Sequence, residues 1–129
     1  MKPRARRLTP ADVERFEKCE PQVKGLYEEI GQLAKKSPND GVNKFKLRLI
    51  NKALGISNDI LSDQHRPFPD FATFNEDELP TNSDVAVILS QYLISLKYFR
   101  SINIEWSEED EKWRWIVSGE QIFPAAGME

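Results

Sequence analysis

Apolar residues along the chain follow a helical rhythm in three stretches, from Phe16 to Leu33, from Val42 to Leu61 and from Val85 to Phe99, and a strict alternation after the last of them. The best-delimited segment is 81–102. There Val85, Leu89, Tyr92, Leu96 and Phe99 recur at steps of four, three, four and three, and Val87, Ile88, Leu93 and Ile94 widen the apolar arc. Pro80 precedes Thr81, and Thr81 with Asp84 has the hydroxyl–carboxylate spacing that satisfies the first free N–H groups of a helix. A helix over 82–101 follows. Its broad arc predicts neighbours on more than one side, as for the buried central helix of a bundle.

Two more helical stretches precede it. Thr9, Pro10 and Asp12 make a start signal, and Phe16, Cys19, Val23, Leu26, Ile30 and Leu33 keep a three–four alternation up to Lys36. Pro21 interrupts that run. Since a proline inside a helix costs about 3 kcal/mol, the sequence predicts either a kink there or a second helix restarting at Glu20. Ser37, Pro38, Asn39 and Asp40 repeat the start signal and predict a helix to about Leu61, with Val42, Phe45, Leu49, Ile56 and Ile60 on one side and Leu47, Ile50, Leu54 and Leu61 on the other. Gly55 predicts a close approach or a local break within it. So apolar a helix either sits inside the bundle or lends a side to a second copy of the chain.

Between these helices lies 63–80, where Phe68, Phe71 and Phe74 recur every third residue and Pro67 and Pro69 hold the backbone extended. Burying each ring is worth about 1.5–3 kcal/mol, which predicts a strap closing the core; the sharper reading has it fill or flank a groove used by a partner. His65 reads as an ordinary loop histidine. After the long helix, Ile104 and Trp106 alternate, as do Trp113, Trp115 and Val117, around an acidic turn at 107–111. A β-hairpin accounts for both halves, against a competing short helix capped by Ser107. An exposed Trp113–Trp115 face is the aromatic candidate for a binding hot spot.

The predicted fold is therefore mainly α, a three- or four-helix bundle with an irregular aromatic strap and a C-terminal β-hairpin. Its divisions are a mobile basic arm at 1–8, a single helical domain at 9–117 and a frayed tail at 118–129. At 129 residues the chain has the length of one domain. A hydrophobic fraction of 40% with 30% charge fits a soluble globular protein, and the longest apolar run, 85–89, is far short of the roughly 20 residues of a membrane helix. No membrane association is expected. The basic start lacks the apolar stretch of a secretory signal, and the lone Cys19 cannot form an internal disulfide, so a reducing, cytoplasmic location is expected.

Charge adds one alternative. The net charge of −3 splits into +4 over the first seven residues, from Lys2, Arg4, Arg6 and Arg7, and −7 over the rest. An acidic body is a poor nucleic-acid footprint, but Lys44, Arg48 and Lys52, spaced i, i+4 and i+8 over roughly 12 Å, could track phosphates with the arm.

Chemical signatures are sparse. The chain lacks a glycine-rich phosphate loop, and one Cys with one His cannot build a standard zinc site. Cys19 lies on the apolar stripe and reads as a structural thiol without a base. No enzyme activity and no cofactor are expected. The leading expectation is a small intracellular protein–protein interaction domain that self-associates, with Phe68, Phe71, Phe74, Trp113 and Trp115 as candidate partner surface. The alternative is a nucleic-acid-associated factor using Lys44, Arg48, Lys52 and the arm.

Overall fold

A computed structural model describes residues 8–119 and 122–124. Three helices among them form a bundle: α1 (Pro10–Lys36), α2 (Lys44–His65) and α3 (Asn82–Ile102). They are followed by a hairpin of β1 (Ile104–Ser107) and β2 (Lys112–Trp115). The arm residues 1–7 and the tail residues 120–121 and 125–129 lie outside the described residues.

α1 begins as its sequence dictates. Thr9 Oγ1 accepts from the Asp12 N–H at 3.2 Å and Asp12 Oδ2 accepts from the Thr9 N–H at 2.9 Å, a reciprocal capping box with Pro10 in the first turn. The helix then runs through Pro21 without a restart. Val13, Phe16, Cys19, Val23 and Ile30 keep one buried phase on both sides of the proline, whose ring faces solvent. Packing of that stripe against α3 and α2 outweighs the lost hydrogen bond, so the bundle has three helices and not four.

The start signal at 37–40 opens no helix. Ser37 closes α1, its N–H bonding the Leu33 carbonyl at 2.8 Å, and α2 starts later, where Asn43 Oδ1 accepts from the Lys46 N–H at 2.8 Å. The intervening turn caps α3 instead. The Asn82 N–H donates to the Asp40 carbonyl at 2.8 Å, the Ser83 N–H to the Pro38 carbonyl at 3.1 Å and the Asp84 N–H to Thr81 Oγ1 at 3.2 Å. These are among the N–H groups that a helix start leaves without partners. Asn82 is buried and donates to the Ser37 carbonyl at 2.9 Å, so the end of α1 and the start of α3 are stitched together.

α2 extends four residues past the predicted end, and a Cβ placed on Gly55 would meet nothing within 4 Å, so the glycine marks neither a close approach nor a break. The break comes at Ser62, with φ 58° and ψ 179°, a region otherwise occupied almost only by glycine. His65 ends the helix, its ring 5.8 Å from that of Phe99, and is not a loop residue.

Of the predicted strap 63–80, residues 63–65 belong to α2 and 66–80 form the irregular segment. The Arg66 guanidinium donates to the carbonyls of Phe68, Pro69 and Phe71 at 2.9–3.2 Å and so shapes its first half. Two asparagines one heptad apart on α2 fasten it: Asn51 exchanges two hydrogen bonds with the Phe74 backbone, and Asn58 donates to the Ala72 carbonyl at 2.9 Å. Phe71 and Phe74 stack edge to face at 5.0 Å over the core, next to Tyr92.

The hairpin, in the register Ile104–Trp115 and Trp106–Trp113, closes the other end. Ser107 Oγ accepts from the Asp110 N–H at 3.2 Å. The cap chemistry that suggested a short helix is thus present, but it shapes the four-residue turn 108–111, with Glu111 in the left-handed region. Trp115 reaches the bundle, edge-on to Phe16 at 5.2 Å, with its indole N–H donating to Glu17 Oε1 at 2.9 Å. Leu8, assigned to the arm by the sequence, is buried and bridges Val117, and the Ser118 N–H donates to its carbonyl at 3.2 Å.

Candidate interaction surface

α3 has two faces of opposite character. Val85, Leu89, Tyr92, Leu96 and Phe99 point into the bundle and are buried as predicted. On the far side Val87 is 58% exposed, Ile94 61% and Tyr98 54%. The breadth of the arc therefore does not come from neighbours all round: among the described residues one side of α3 is left uncovered. From Val85 to Leu96 this helix carries no charged residue, whereas α1 and α2 carry lysines, arginines and acids along their outer faces. An exposed helix face usually carries charge, so an uncharged one is unusual.

A second apolar feature lies between α1 and α2. A groove of about 510 Å³ is lined by Pro21, Gln22, Gly25, Leu26, Leu49, Lys52, Ala53 and Ile56. Phe45, on the same outer side of α2 by helical spacing with Leu49, is 69% exposed. The predicted stripe of Val42, Phe45, Leu49, Ile56 and Ile60 is thus split, with Val42 and Ile60 in the core and Phe45 and Leu49 outside.

The aromatic candidates separate in the same way. Phe71 and Phe74 pack against the core, and Phe68 is half-buried. Trp115 is only 2% exposed, so a Trp113–Trp115 face is not available to a partner. Its cross-strand neighbour Ile104 sits over the bundle, while the Trp106–Trp113 pair projects beyond it, stacked edge to face at 5.8 Å with Trp106 exposed.

The basic strip is largely answered by acids of the strap. Lys44 lies 3.8 Å from Asp77 and Arg48 3.1 Å from Glu76, both carboxylates on the 3₁₀ turn Glu76–Glu78. Only Lys52 of the three has no ion-pair partner among the described residues, and it lines the groove. Exposed pairs of this kind add little stability, but they lower the local positive potential that phosphates would require.

The bundle interior holds a thiol and an ion pair. Cys19 lies against Ser57, Sγ to Oγ 3.2 Å, and burial pushes its thiol up, an effect the Ser57 hydrogen bond only partly opposes. A thiol held protonated in this way packs as a small apolar group. Glu20 and Arg100 form a largely buried ion pair between α1 and α3, with the guanidinium 5.9 Å from the Phe16 ring centre and Glu20 Oε2 left without a partner. Among the described residues no cluster of His, Cys, Asp and Glu could hold a metal ion, and no helix is long and apolar enough to cross a membrane.

Sequence reasoning placed Val87 and Ile94 on a widened core arc and did not single out Tyr98. The signal for the surface was present as the charge-free run itself, with Val87, Gln91, Ile94 and Tyr98 spaced three and four apart opposite the buried stripe. Compared with family models, curated proteins and solved structures, the chain matches none.

Proposed function

We propose that the chain is a small protein–protein interaction domain whose contact surface is the outer face of α3. The observation that carries this reading is the line of exposed Val87, Ile94 and Tyr98 on a helix that carries no charged residue from Val85 to Leu96. A tyrosine flanked by aliphatic side chains on a rigid helix gives a large apolar contact with a polar tip, at low cost in side-chain entropy. An intracellular, reducing location belongs to the same reading, supported by a single cysteine that is buried. The nucleic-acid alternative loses ground because Glu76 and Asp77 already engage two of its three cations.

Site-specific photo-crosslinking tests the reading. A benzophenone amino acid replacing Ile94 in the expressing cell should give discrete adducts, while the same group at exposed Gln32 on α1 should give few. Equal, diffuse labelling from both positions would refute an interaction surface on α3.

A further inference from the structure

The outer face of α3 is complementary to itself, and we infer that it pairs with the same face of a second copy, antiparallel, about a two-fold axis. The inference rests on the reading of that face as an interaction surface and names its partner. The outer line is Asp84, Val87, Gln91, Ile94, Tyr98 and Ser101, with steps of three, four, three, four and three. This is the 3.5-residue period of a two-stranded coiled-coil seam, alternating the two inward positions of a heptad. A two-fold passing between residues 92 and 93 sets Val87 opposite the partner's Tyr98 and Gln91 opposite the partner's Ile94. It sets Asp84 opposite the partner's Ser101. Each pair joins one kind of seam position to the other, a small side chain faces a large one at Val87, and the rule that a two-fold contact be its own complement is met along the whole line.

Charge selects the direction. Asp84 stands at the start of α3, and Lys97, exposed and without an ion-pair partner among the described residues, stands near its end. An antiparallel pair brings the acidic end of each helix toward the basic end of the other and opposes the two helix dipoles favourably. A parallel pair would set Asp84 on Asp84 and Lys97 on Lys97. The flanking positions Ile88, Ser90 and Ser95 are uncharged and half-buried, so nothing at the rim repels a second helix. The seam is short and carries polar residues at Asp84, Gln91 and Ser101, which gives a dissociable dimer and not an obligate one.

The test mixes Val87→Cys protein with Tyr98→Cys protein under mild oxidation at about 50 µM. In the antiparallel pair the thiol introduced at position 87 meets the one introduced at position 98 of the second copy. Two copies of the same variant instead hold their introduced thiols roughly 16 Å apart along the axis, too far for a disulfide. The mixed disulfide should therefore exceed either same-variant disulfide at least tenfold. Adding Ile94→Asp to both proteins should abolish it with the helical circular dichroism unchanged, since Ile94 is 61% exposed. Wild-type protein, with only the buried Cys19, is the blank. Same-variant disulfides in equal or greater yield would overturn the antiparallel pairing, and so would a monomer mass with no crosslink. In the monomer case the Ile94 photo-adducts separate the two claims: adducts to other proteins leave the interaction surface standing, and no adducts remove both.

Discussion

Asn51 and Phe74 exchange two hydrogen bonds, Asn51 Nδ2 donating to the Phe74 carbonyl at 2.9 Å and the Phe74 N–H donating to Asn51 Oδ1 at 2.8 Å. One side chain thus supplies to an irregular segment what a neighbouring strand would supply to an edge. It holds the Phe74 ring on the core. Asn51→Ala should destabilise the fold by about 1–3 kcal/mol, because it leaves a part-buried donor and acceptor without partners. Urea unfolding and the exchange rate of the Phe74 amide both report it; a loss below about 0.5 kcal/mol with unchanged exchange would show that the strap is held by its rings alone.

How far the sequence could be read is clearest in that strap. Phe71 and Phe74 announced a buried aromatic segment, but Asn51 was legible only as a polar residue beside a basic strip, because a side-chain clamp has no spacing rule. Local chemistry also had two valid destinations. The Ser37–Asp40 start signal served the N-terminus of α3 through space, and the Ser107 cap shaped a hairpin turn. Pro21 offered a restart that α1 does not make, since propensity cannot weigh the long buried stripe that carries the helix past it. The candidate surface was the least legible part. Periodicity finds every apolar arc but does not say which part of a broad arc meets a neighbour, so Val87 and Ile94 read as core.

Leu89 lies fully buried at the middle of the α3 stripe. Leu89→Ala should cost about 2–5 kcal/mol through the cavity it leaves. A change under about 1 kcal/mol in denaturant unfolding would mean that α3 does not organise the core.

The Glu20–Arg100 pair joins α1 to α3 beside the Phe16 ring. Removing one partner strands a buried charge, so Arg100→Met should destabilise by about 3–5 kcal/mol, while the double change with Glu20→Leu should recover most of that loss. Thermal unfolding of the single and double variants measures the coupling. Additive losses would show that the two charges act independently.

Alkaline pH should weaken the fold through two groups. Burial holds the Cys19 thiol above its ordinary value of 9.0 and the Tyr92 hydroxyl above its ordinary value of 10.0, the latter only partly offset by its bond to Asn58. The unfolded chain therefore loses these protons first. Their contribution is complete below about pH 9 and declines as pH rises through the raised folded values. Urea midpoints between pH 8 and 11 should fall less steeply for Cys19→Ala and Tyr92→Phe than for wild type; equal slopes would assign the alkaline loss elsewhere.

Neutralising Lys44, Arg48 and Lys52 together should leave any nucleic-acid affinity and its salt dependence unchanged, because two of the three already face carboxylates. Were all three phosphate contacts, the slope of log K against log salt would flatten by roughly 2–3 units on their removal. Fluorescence titrations with single- and double-stranded DNA across salt concentrations distinguish the two.

The most direct measurement is the solution mass of the full chain by sedimentation equilibrium from about 1 to 200 µM. A face built to pair with itself predicts a mass rising with concentration from 14.9 kDa toward twice that value. Ile94→Asp should stay at 14.9 kDa throughout with its unfolding midpoint unchanged. A wild-type chain that remains monomeric over the whole range, or a variant that associates as wild type does, would contradict self-pairing through α3.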